Sequence, residues 1–130
     1  MTEHPNAALL RRLYEAFHAK DRSTLAALIA ADAVWLVPGS TPISGAHRGA
    51  PAIFAYFQAM SERSGGTFHA DLVDVLGSDW HAVAIANALG RRGTRSYAGR
   101  YLLLTRIEDG RIVEARLFNE DEAAFEAFWS

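Results

Sequence analysis

Apolar residues recur at helical spacing in the first half of the chain and alternate in the second. After Asn6, the residues Leu9, Leu10, Leu13, Tyr14 and Phe17 make one stripe, while Arg11, Arg12 and Glu15 fall off it. That spacing predicts an amphipathic helix over about residues 7–19, with Asn6 as its N-cap. Asp21 or Ser23 is expected to cap a second helix that buries Leu25, Leu28 and Ile29 and stops near Asp32. Ala33 to Val37 is a short β-type run closed by Pro38-Gly39, a strong breaker pair. A loop carrying Ser40, Pro42, Gly45 and Gly49 follows. Pro51 suits a first helical position. Ile53, Phe54, Phe57 and Met60 then predict a third helix, ended by Ser64-Gly65-Gly66.

From Thr67 onward the period changes. Residues 67–76 read as a strand and residues 77–79 as a turn. Over 80–89 the alternation is clean: Trp80, Ala82, Ala84, Ala86 and Ala88 on one side, His81, Val83, Ile85, Asn87 and Leu89 on the other. Gly90 to Gly93 makes the next turn, 95–107 a long strand, Glu108-Asp109-Gly110 a hairpin turn and 111–119 the last strand. Phe125, Phe128 and Trp129 fit a short terminal helix. Helices first and an antiparallel meander second predict an α+β fold in one domain, residues 1–130. Three N-terminal helices would cover one face of a curved antiparallel sheet and leave a central pocket between the layers.

Composition narrows the chemistry. The 130 residues carry a net charge of -2 and no cysteine. This excludes a disulfide scaffold, a thiol nucleophile and a Cys-ligated zinc site. The acidic balance argues against nucleic acid as a partner. Residues 1–5 lack the features of a signal peptide, and no apolar run approaches a membrane span, so the expected location is the cytoplasm, away from membranes. Twelve of the thirteen cations are Arg; Lys20 is the one Lys. The five His (4, 18, 47, 69 and 81) show no i, i+4 pair, so no metal site is expected.

Several segments together carry a resemblance: Leu13-Tyr14-Glu15-Ala16-Phe17, Ala31-Asp32-Ala33-Val34-Trp35, Val37-Pro38-Gly39, Gly45-Ala-His-Arg-Gly49, and Asp109-Gly110-Arg111-Ile112-Val113-Glu114 before a closing Phe-Trp. In this order the chain resembles the SnoaL-like branch of the NTF2-like superfamily, related to ketosteroid isomerase and the polyketide cyclases. The resemblance implies a cone-shaped fold around a deep pocket, no cofactor, and a homodimer through the outer sheet face. It also implies a small hydrophobic molecule as partner, either as substrate of an isomerase- or cyclase-type reaction or as ligand of a non-catalytic protein. The isomerases place an Asp where this chain has Val37 and a Tyr where it has Leu13. A hydrocarbon cannot take a proton, so isomerisation by that mechanism is excluded. The cyclases use an acid near the end of the last strand, which here is Asp121, with Glu120 as the register alternative. Desolvation at the mouth of an apolar cavity would suit a carboxylate to proton transfer; equally, Asp121 is a natural cap for the terminal helix.

Tyr14, Trp35, Phe54, Phe57, Tyr101 and Phe118 are the expected pocket aromatics, suited to a flat organic ligand. Asn87 is either a ligand anchor or a satisfied core amide. Arg116 is expected either to bind an anionic group or to pair across strands. The face of Ala82, Ala84, Ala86 and Ala88, taken with Ala98, Leu102 and Leu104, is expected to be the outer one and the homodimer interface. In the alternative it packs on the helices, and the sheet residues assigned to the pocket change accordingly.

Overall fold

The computed structural model describes residues 3–130. Helix α1 spans Pro5–Ala19, α2 Arg22–Leu28, α3 Ala50–Arg63 and α4 Glu122–Trp129. The strands are β1 (Ile29–Val37), β2 (Gly45–Arg48), β3 (His69–Gly77), β4 (His81–Arg92), β5 (Arg95–Glu108) and β6 (Arg111–Asn119). They form one curved, unclosed sheet in the order β2-β1-β6-β5-β4-β3. The sheet is mixed, because β1 runs parallel to β6 while every other pair is antiparallel. α1 lies on β3 and β4, α3 on β1 and β2, and α4 on β5 and β6.

Local chemistry sets most element ends. The start of α1 differs from the expectation: Pro5 takes the first turn and His4 is the cap, its Nδ1 accepting from the Asn6 N–H at 3.1 Å. Pro5 has no N–H to satisfy there. Asn6 instead donates to the Ser78 and Asp79 carbonyls, tying the helix to the β3–β4 turn. Asp21 caps α2 through Thr24. α2 ends four residues early, because Ile29 already pairs with Ile112 of β6. Long-range pairing overrides the local helical spacing there. Gly45–Arg48, expected as loop, forms the edge strand β2. Asp109 and Gly110 both have positive φ, 52° and 72°, as a two-residue hairpin turn requires.

The register assigns the two sheet faces. Ala82, Ala84, Ala86 and Ala88 stand opposite Thr105, Leu103, Tyr101 and Gly99 of β5 and are all buried. They face the helices, so the alanine stripe is not the outer surface, and Ala98, Leu102 and Leu104 lie on the opposite side from it. Small side chains there let α1 approach closely. At Gly77, on the same face, an added Cβ would stand 2.7 Å from the Ala7 nitrogen. The outer face carries Val83, Ile85, Asn87 and Leu89 of β4, Leu102 and Leu104 of β5, and Arg116 and Phe118 of β6.

Candidate functional site

Between α1, α3, α4 and the inner sheet face lies a cavity of about 530 Å³. Its inner wall is aromatic. Phe57 sits at the centre, edge-on to Trp35 at 5.2 Å and Phe17 at 4.5 Å, with Phe54 at 6.0 Å. Such edge-to-face packing fixes the rings. Ala88 contributes little volume, so the space survives the packing of the layers.

Hydroxyls interrupt this apolar wall. Tyr14 follows Leu13 on α1, and Tyr101 stands on β5 between Ala86 and Asn119 in register. Their hydroxyl oxygens are 2.7 Å apart, a hydrogen bond across the cavity. One hydroxyl must donate to the other, which leaves the acceptor's own proton free to donate onward. Burial pushes both hydroxyls, and that of Tyr56 on α3, well above the ordinary phenol value. All three are therefore neutral donors, not bases. Tyr97 also lines the cavity; its buried hydroxyl has no hydrogen-bond partner among the described residues.

The cavity opens where its lining is exposed: His18 and Lys20 at the end of α1, Arg22 at the start of α2, Gln58 and Ser61 on α3, and His69 on β3. His18 and His69 stack with ring centroids 4.7 Å apart. His18 Nε2 donates to the Ala70 carbonyl at 2.7 Å and His69 Nε2 meets Asp71 Oδ1 at 2.6 Å. One donor atom from each of His18, His69 and Asp71 lies within 4.8 Å of the others, the one such group among the described residues that could hold a cation.

Of the residues singled out from the sequence, Tyr14, Trp35, Phe54, Phe57 and Tyr101 line this cavity. Three do not, because the register turns them outward. Asn87 accepts from Arg100 Nε at 3.1 Å on the outer face, which satisfies its amide oxygen. Arg116 pairs in register with Leu104 and Leu36, and Phe118 with Leu102; both are exposed. Asp121 is not a cavity residue either. It is exposed, and its Oδ1 accepts from the Ala124 N–H at 2.9 Å as the N-cap of α4. Glu120 is exposed as well.

Tyr56, Tyr97, Lys20, Arg22 and the His18–His69 pair were not singled out for the cavity. His18 stands four residues after Tyr14, and Tyr56 three after Ile53, so helical spacing alone could have placed both. His69 pairs in register with Leu89 of β4. Nothing local in the sequence brings it to His18.

Comparison with known proteins agrees with this architecture. The family described as SnoaL-like domain matches residues 10–115. An uncharacterised protein of Mycobacterium tuberculosis is 30% identical over 131 residues, covering all of both chains. Bal32a, from a soil-derived mobile gene cassette, is 35% identical with a TM-score of 0.93 over 97% of each chain. IdmH of Streptomyces antibioticus, described as a candidate polyketide cyclase, is similar at 23% identity. Its TM-score is 0.75 over 94% of this chain and 96% of its own, a likeness of fold.

Proposed function

We propose, from the premise that this chain belongs to the SnoaL-like domain family, that its cavity binds a small, flat, mostly apolar molecule through a carbonyl or enol oxygen. Family membership alone does not decide this, since one fold serves many chemistries. The observation that carries the reading is the Tyr14–Tyr101 hydroxyl pair set into an aromatic wall. A ligand oxygen placed at this pair receives a hydrogen bond from a neutral donor in a desolvated site, where such a bond is strong and its loss costly. The rings of Trp35, Phe54 and Phe57 take the flat apolar body.

The same geometry bears on catalysis. Donors aimed at an oxygen stabilise an enolate, the charge that develops in isomerase- and cyclase-type reactions. A base must accompany them. Among the described residues no Asp or Glu lines the cavity; the imidazoles there are His18 and His69. Asp121 is occupied in capping α4. The reading is therefore of a binding protein able to polarise a carbonyl, and any proton transfer falls to the imidazoles.

Calorimetric titration with 1,4-naphthoquinone tests the binding. Saturable one-site binding is expected. Tyr14→Phe and Tyr101→Phe should each weaken it by roughly 3- to 10-fold, the value of one hydrogen bond, and Asp121→Asn should leave it unchanged. Absence of saturable binding, or equal affinity in the Phe variants, would contradict the reading.

We also propose that a second copy of the chain covers the outer sheet face. Leu89, Leu102, Leu104 and Phe118 are 46%, 41%, 37% and 45% exposed there, next to Val83 and Ile85. A contiguous apolar face of this kind is rarely left in water. The homodimer expected from the sequence is thus retained as a proposal, on the opposite face from the alanine stripe.

A further inference from the structure

We infer that the ligand is an acid: its apolar body fills the cavity, and a carboxylate or comparable anionic head group sits at the opening between Lys20 and Arg22. This inference rests on the binding reading above and extends it to the charge of the ligand. The chain carries fifteen Asp and Glu against thirteen Lys and Arg. Yet among the described residues the cations lining the cavity are Lys20 and Arg22, with the imidazoles of His18 and His69 beside them and no carboxylate. A wall of low polarity focuses such a field on whatever enters.

The turn between α1 and α2 is built to deliver these charges. Lys20, Asp21 and Arg22 are consecutive, but the acid is withdrawn: Asp21 Oδ1 accepts from the Thr24 N–H at 3.1 Å and Oδ2 from the Thr24 hydroxyl at 2.6 Å. Neither Lys20 nor Arg22 forms an ion pair among the described residues. Arg22 is held over the Phe54 ring at 5.0 Å, a cation–π contact that keeps its guanidinium at the opening. Asp71, the carboxylate near this rim on β3, is engaged by His69.

Lys20 stands at the same rim. It ends α1 in the left-handed conformation, φ 54° and ψ 37°. Glycine takes that position in helices without penalty, and a side chain there is strained. The chain nevertheless places its one lysine at this position, at the rim of the cavity. A head group between an ammonium and a guanidinium forms charge-assisted hydrogen bonds, stronger than neutral ones.

The test compares 2-naphthoate with its methyl ester, which has the same ring system and no charge, by calorimetry on the full chain and on Lys20→Gln/Arg22→Gln. The acid is expected to bind the wild-type protein at least about tenfold more tightly than the ester. In the double variant that preference should fall to within about twofold while saturable binding of the ester persists, which also reports an intact fold. Added NaCl should erode the acid's advantage and spare the ester. Equal binding of acid and ester to the wild-type protein, or an acid preference that survives in the double variant, would overturn the head-group site and leave the cavity reading standing. Binding of neither compound would overturn both.

Discussion

Single residues in this protein divide into those that hold the cavity and those that work in it, and the two acids at helix starts belong to the first kind. Asp21 is held below the ordinary Asp value by the hydroxyl and amide of Thr24. A carboxyl with a lowered folded value contributes stability above its unfolded value and loses it as pH falls through the folded one. Asp21→Asn should therefore flatten the acid limb of a stability-against-pH curve below about pH 4; an unchanged limb would show that the cap does not couple to folding. Asp121→Ala should cost about 1 kcal/mol in chemical denaturation, the usual value of a lost N-cap. Ligand affinity should stay the same. Tyr97 shows a different dependence. A Cβ on Gly99 would lie 2.6 Å from the Tyr97 hydroxyl oxygen, so that ring has its place because residue 99 has no side chain.

At the scale of elements, the inner sheet face explains why a cavity exists at all. Four buried alanines and three glycines (Gly77, Gly90 and Gly99) keep the inner face of β4 and its neighbours low, so α1 can sit close at its first turn. Gly77 marks the close approach. Gly77→Ala forces α1 away from the sheet, because the atoms it meets are backbone and the Cβ of Ala7. Overpacking of this kind costs about 1–3 kcal/mol, measurable as a lower urea midpoint; a midpoint within error of wild type would contradict the packing described. The helices and the meander were legible from period alone: Leu9, Leu10 and Leu13 for α1, and the alternation from Trp80 to Leu89 for β4. The parallel β1–β6 pair and the edge strand β2 were not, because Ile29 and Gly45 owe their strand conformation to partners far along the chain.

The whole molecule is where alternation alone fell short. A strand with alanines on one side and Val83, Ile85 and Leu89 on the other offers two apolar faces, and period 2 does not say which is inside. The helices settle it, by packing on the alanines. That one assignment moved Asn87, Arg116 and Phe118 out of the cavity and left Tyr14, Trp35, Phe54, Phe57 and Tyr101 within it. The excess of arginine is partly structural at this scale: Arg92 donates to the carbonyls of Phe128 and Ser130, and Arg95 to that of Ser130, fastening α4 to the β4–β5 hairpin. Dimerisation through the outer face would bury Leu102 and Leu104. Sedimentation velocity at micromolar concentration should then show a dimer, and Leu104→Arg should give a monomer that still binds ligand. A monomeric wild-type protein would refute this arrangement.

On the proposed function, neutral tyrosine donors meet a ligand oxygen inside an aromatic cavity. The most direct measurement is the carbonyl 13C resonance of labelled 1,4-naphthoquinone, free and bound. Donation from the Tyr14–Tyr101 pair should move one bound carbonyl downfield, and the Tyr14→Phe/Tyr101→Phe variant should lose most of that movement. A bound carbonyl resonance that matches the free compound, or that shifts equally in the double variant, would contradict the account.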